Sequence, residues 1–257
     1  MGLIKAGLGA VGGVLADQWK EFFYCDALPP EVLMRKGEKR VSGRSSNTKG
    51  SDNVISNGSG IAVADGQAMI IVEQGKVVEF CAEPGQFTYD TSTEPSIFAG
   101  SLGSSILDTF KTIGKRFAYG GDTGKDQRVY YFNTKEMVGN KYGTANPVPF
   151  RVVDQRAGID IDISVKCFGT YSFKLVNPLL FYINICGNVT DDYEFEGDLA
   201  VQMRSEFLTA LQPAFARISE MGIRYSALPG RTQELADALR EELTAQWRDY
   251  RGIEIGK

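Results

Sequence analysis

Asp160 and Asp162 stand two residues apart in GIDIDISVK, so an extended strand puts both carboxylates on one face. Paired carboxylates can hold a hard cation or divide acid and base roles. They are equally at home as a solvated strand face, and that plainer reading is the expectation. The stretch GGDTGK at 120–125 suggests a phosphate loop but fails the pattern, because Tyr119 stands where glycine is needed and Asp126 where Ser or Thr is needed. GSLGSS at 100–105 is too generic to mean phosphate binding. Cys25, Cys81, Cys167 and Cys186 are too widely spaced for a zinc site or a disulfide framework, and they read as buried small hydrophobes in a reducing compartment. The chain has no histidine, which excludes Ser-His-Asp and Cys-His nucleophiles and His-ligated metals. A net charge of −4 gives no basic footprint for nucleic acid. The residues therefore predict no catalytic centre, no metal and no cofactor.

The elements that would position these residues read as α+β. Apolar runs at 68–72 and 77–81, split by Gln74-Gly75, predict a hairpin, and a third strand follows Glu83-Pro84-Gly85. Residues 96–118 read as partly helical, and Arg128–Val138 as one strand. Strict alternation at Ile159, Ile161, Ile163 and Val165 predicts a half-exposed antiparallel strand. Asp191, Asp192, Glu194 and Glu196 read as the acidic start of a helix. From Asp198 the period turns helical: Met203, Phe207, Leu211, Phe215 and Ile218 form one stripe, which Pro213 should kink or split. Leu235, Leu239, Leu243 and Trp247 form a second stripe, and GIEIGK reads as a closing strand. The polar run from Val41 to Gly60 reads as a flexible loop without core potential.

The first residues, MGLIKAGLGAVGGVLADQWKEFF, fit neither a secretion signal nor a membrane span, since the uncharged run from Ala6 to Ala16 is too short to cross. Read as a helix over 3–23, Ile4, Leu8, Val11, Leu15, Trp19 and Phe22 make one stripe. With Leu3 and Phe23 they form a candidate lipid-facing set, the aromatic residues suiting the interfacial zone. Arg35, Lys36, Lys39, Arg40 and Arg44 follow, with only Glu38 opposing them, as candidates for lipid headgroups. The alternatives are a helix packed on this protein's own core and a helix that docks on a protein partner.

GQAMIIVEQGKVVEFCAEPGQFTYDT resembles the opening sheet of the SPFH or band 7 family of stomatins, prohibitins and flotillins. The run VYYFNTKEMVGNKYGTANPVPFRVVDQRAGIDIDISVKCFGTYSFKLVNPLLF resembles a bacterial subgroup labelled virion core protein-like. The resemblance implies a β-rich SPFH subdomain at 29–155, with a flexible loop at 41–60, and an α/β subdomain at 156–257, behind an N-terminal amphipathic membrane-associating helix at 1–28. It implies no catalysis. It also implies a peripheral scaffold on the cytoplasmic face of the membrane, assembled with membrane lipid as a large homo-oligomeric ring or cage. Phage-shock-type membrane-remodelling proteins are the partners it suggests.

Overall fold

The computed structural model describes residues 2–5, 21–41, 53–92, 96–117, 126–154, 158–189, 191–223 and 225–256. Short apolar runs punctuated by glycine-bearing turns make strands the commonest element among these residues. In chain order they are β1 (Gly2–Lys5), β2 (Glu21–Tyr24), β3 (Val32–Lys36), β4 (Glu38–Val41), β5 (Gly60–Val63), β6 (Gln67–Glu73), β7 (Lys76–Cys81), β8 (Gly85–Asp90) and β9 (Ile97–Phe98). Helix α1 (Ser104–Phe117) precedes β10 (Gln127–Asn133), β11 (Met137–Gly143), β12 (Val148–Asp154), β13 (Ile159–Val165) and β14 (Phe168–Leu175). The chain continues through α2 (Pro178–Phe181), β15 (Asp192–Glu194), α3 (Asp198–Glu220), α4 (Thr232–Leu243) and β16 (Ile253–Ile255). The fold is α+β.

Two compact units divide the chain, one of residues 1–135 with 177–194, the other of 136–176 with 195–257. The first holds a five-stranded sheet of order β1-β8-β5-β2-β4 and a six-stranded sheet of order β15-β3-β10-β6-β7-β9. Alternation decides what lies between them. Leu3, Phe23, Ile61, Phe87 and Tyr89 from the first sheet pack with Met69, Ile71, Cys81, Val129 and Tyr131 from the second in one apolar cluster. The six-stranded sheet is covered on its other face too. The Tyr182 ring lies 5.7 Å from Tyr130 and 6.5 Å from Phe132, and Cys186 Sγ lies 3.4 Å from Met34 Sδ. Burial on both faces explains why β6 reads as a continuous apolar run instead of an alternating one. The β6–β7 turn needs positive φ at both central residues, and Gln74 (49°) and Gly75 (77°) supply it.

The second unit holds the three-stranded sheet β11-β14-β16, the separate pair β12-β13, and α3 and α4. Tyr171 stacks on Phe207 of α3 at 4.6 Å, and Phe150 of β12 meets Phe215 edge-on at 6.1 Å. Glu206 clasps the end of the chain: Trp247 Nε1 donates to it at 2.8 Å, and Arg251 binds both carboxylate oxygens at 2.6 and 2.8 Å. Helix α3 runs unbroken from 198 to 220 with Pro213 inside it, so the predicted split does not occur.

Several expectations are corrected. The helix over 3–23 is replaced at both ends by strands: β1 pairs antiparallel with β8, and β2 pairs with both β4 and β5. Pairing with distant segments outweighs a local helical stripe that glycines already weaken. The strand expected at 128–138 is two strands, one in each unit. The division between the two compact units lies at 135/136, and 177–194 belongs to the first. Asp192 and Glu194 sit in β15, paired with β3, and not at a helix start. The 41–60 loop is also anchored in its second half. Ile55 is buried in the cluster, its N–H donating to Gln127 Oε1 at 2.9 Å.

Candidate functional site

Leu3, Phe22 and Phe23, candidates for lipid contact by sequence, are all buried. Leu3 and Phe23 lie inside the sandwich, and Phe22 stacks beside Tyr24 on the opposite side of its strand. These side chains are committed to the protein's own packing. Ile4 alone of the described set is exposed, at 49%. Leu8, Val11, Leu15 and Trp19 lie outside the described residues.

The basic candidates do not form one patch. Arg35 is on β3 and Lys39 and Arg40 are on β4, which belong to different sheets. Arg35 forms a bidentate pair with Asp192, at 2.7–3.0 Å. Lys36 donates to Asn53 at 3.2 Å. The Lys39 side chain is buried against Glu21 at 3.2 Å and also donates to the Val54 carbonyl at 3.1 Å. Burial would raise the Glu21 carboxyl, but the Ser56 N–H and Lys39 outweigh it and hold the group below the usual carboxylate range. Arg40 is exposed, and Arg44 lies outside the described residues.

The carboxylates considered for chemistry are separated by their partners. Asp160 forms a two-pronged pair with Arg151 at 2.8 and 2.7 Å, and that hydrogen bonding holds its carboxyl below the usual range. A carboxylate held low is a poor general acid near neutral pH. Asp162 lines an open groove of about 540 Å³ with Arg151, Pro149 and Val153 of β12 and Gln212 and Ser219 of α3. A second hollow, about 300 Å³, lies among Tyr142, Tyr171, Phe207, Leu235 and Leu239. Among the described residues no group of three or more His, Cys, Asp or Glu side chains could hold a metal. Cys25, Cys81 and Cys186 are buried, and burial pushes the Cys25 thiol up to about 11 and the Cys81 thiol up to about 12, away from reactive thiolate. The GGDTGK stretch lies outside the described residues.

What the structure does assemble is an exposed hairpin. β12 and β13 pair over seven positions, from Val148↔Val165 to Asp154↔Ile159. At the inner end Val148 and Phe150 are buried, Phe150 under α3. At the outer end Ile159 and Ile161 are exposed, Ile161 at 54%, and Val153 is exposed as well. Among the described residues the outer edge of β13 pairs with no strand. The alternation in the sequence identifies the strand; that its outer half goes uncovered is not visible there.

A family model described as SPFH domain-Band 7 family matches residues 48–257, most of the chain. The chain belongs to the SPFH domain-Band 7 family. This is a family of membrane-associated, non-enzymatic scaffolds, and the α+β fold fits it. Comparison with curated proteins and with solved structures returned no match. Among the described residues no helix is long and apolar enough to cross a membrane.

Proposed function

We propose that this SPFH protein is a peripheral membrane scaffold without catalysis, whose copies join laterally on the cytoplasmic face and recruit membrane-remodelling partners of the phage-shock type. The observation that carries the self-assembly is the β12–β13 hairpin. A two-stranded ribbon is marginal by itself, and a free, apolar strand edge is a template for pairing with another chain. Here Ile159 and Ile161 stand exposed beside such an edge. A second copy supplies the missing strand, and a repeated head-to-tail contact of this kind closes into a ring when its rotation allows.

Light scattering of the full chain on vesicles and in solution tests this, with wild type set beside Ile159→Lys/Ile161→Lys. Wild type is expected as an assembly of many copies, and the variant as single chains with an unchanged circular-dichroism melt. Wild type that stays a single chain on vesicles at every concentration removes the scaffold reading.

A further inference from the structure

Phe168 is the most exposed large apolar side chain among the described residues, at 89%. It opens β14, directly opposite Gly143 of β11, so no cross-strand side chain covers its ring. The position is fixed rather than loose. At the bend before it, the Thr144 N–H donates to the Cys167 carbonyl at 2.9 Å, and the Cys167 N–H donates to Thr144 Oγ1 at 3.0 Å. Lys141 pairs with Thr170, two residues further along the same strands, and Lys166 precedes Phe168 by two; both lysines are exposed. The stretches 141–147 and 164–170, which meet here, carry these two lysines and no acid. Val138, also on β11, is 74% exposed.

We propose that this end of the β11–β14 sheet is a contact for an anionic lipid surface, with Phe168 entering the headgroup zone and Lys141 and Lys166 meeting lipid phosphates. The inference rests on the membrane-scaffold reading and names the part of the second unit that touches the bilayer. Three features favour lipid over a protein partner. A protein interface needs a broad complementary patch around its anchors. The neighbours of Phe168 along these stretches are instead Gly143, Gly169, Ala145 and Thr170, small residues that give a partner little to grip. A fluid interface has no such requirement: it accepts one aromatic ring and flexible lysines whose stems lie along it. The local charge, two cations and no acid, is complementary to an anionic leaflet. A single such contact binds weakly, and an array of copies multiplies it.

The experiment uses the full chain with vesicles of equimolar phosphatidylglycerol and phosphatidylcholine, and with phosphatidylcholine alone. A Phe168→Trp reporter is placed in a Trp19→Phe background, which leaves buried Trp247 as the other indole. On anionic vesicles its emission should shift to the blue and be quenched by brominated lipid, with neither change on neutral vesicles. Phe168→Ser and Lys141→Glu/Lys166→Glu should each lower the bound fraction, with partitioning at least about thirtyfold weaker for the lysine pair. If the protein binds vesicles while the reporter's emission stays unchanged, the proposal falls and the scaffold reading stands. If wild type binds neither vesicle, both fall. If Phe168→Ser alters assembly mass without altering vesicle binding, the surface is a contact between copies and the proposal is overturned.

Discussion

Glu79 of β7 is fully buried, with one carboxyl oxygen taking the Ser96 N–H at 2.8 Å and the other without a partner among the described residues. Burial pushes its carboxyl up to about 8, against 4.5 for a free glutamate. A raised folded value means the native state holds its proton more tightly than the unfolded chain does. The contribution to stability is therefore whole below pH 4.5 and is lost as pH rises towards 8. Each pH unit in that window removes at most about 1.4 kcal/mol, so the full loss is a few kcal/mol. Glu79→Gln should thus flatten the pH dependence of urea unfolding between about pH 5 and 8, and should be more stable than wild type at the upper end. A parallel pair of curves would show that this carboxyl does not hold its proton. Glu21 and Lys39 present the opposite case, a buried pair that is satisfied. Glu21→Ala removes the counter-charge of a buried ammonium and should cost about 3–5 kcal/mol, while Glu21→Leu/Lys39→Met should recover much of it. Denaturant midpoints of the two variants check this. Neither group is legible from sequence, because their neighbours, Ser96 and Ser56 among them, come from distant parts of the chain.

At the scale of elements, the legible part is whatever a local period encodes. The β6–β7 hairpin follows from Gln74-Gly75, and β13 from its alternating isoleucines. The α3 stripe is of the same kind: Met203, Phe207, Leu211, Phe215 and Ile218 are all buried. Long-range pairing is what a local period does not carry. Leu3 faces Tyr89, and Phe22 faces Arg40 on one side and Gly60 on the other, so a stripe spaced like a helix begins and ends in strands. Of the candidate lipid site drawn on that stripe, Leu3, Phe22 and Phe23 are buried and Ile4 is exposed where the chain is described. Phe168 gives no signal in the sequence, because exposure is a property of the fold. Helix α3 carries one further consequence. Pro213 lacks the N–H that would bond Thr209 four residues back, and a proline inside a helix costs about 3 kcal/mol relative to alanine. Pro213→Ala should raise the thermal midpoint, by an amount corresponding to about 1–3 kcal/mol. A lowered midpoint would mean that the ring's packing in α3 outweighs its backbone cost. Glu206→Ala should lower the midpoint markedly, since it removes the acceptor that the part-buried Arg251 and the Trp247 indole N–H share.

For the whole molecule, the governing fact is that neither unit is contiguous in sequence. The first is completed by 177–194, whose β15 adds to the edge of β3 and whose Tyr182 covers Tyr130 and Phe132. A chain ending at residue 176 should therefore not contain a finished first unit. It should bind a hydrophobic dye and melt without a sharp transition, whereas wild type should leave the dye dark and melt sharply. A sharp melt from that fragment would mean the returning segment is dispensable.

The same interleaving sets a timetable at the ribosome. Because β15 lies past all of 136–176, the nascent chain must hold an unfinished sandwich while roughly sixty residues emerge, at about 5–20 residues per second. For those seconds Tyr130 and Phe132 lack the Tyr182 ring that packs on them. Slowed synthesis across this stretch would lengthen the window in which a holding chaperone is needed, so the yield of soluble protein should respond to codon choice there before it responds to codon choice elsewhere.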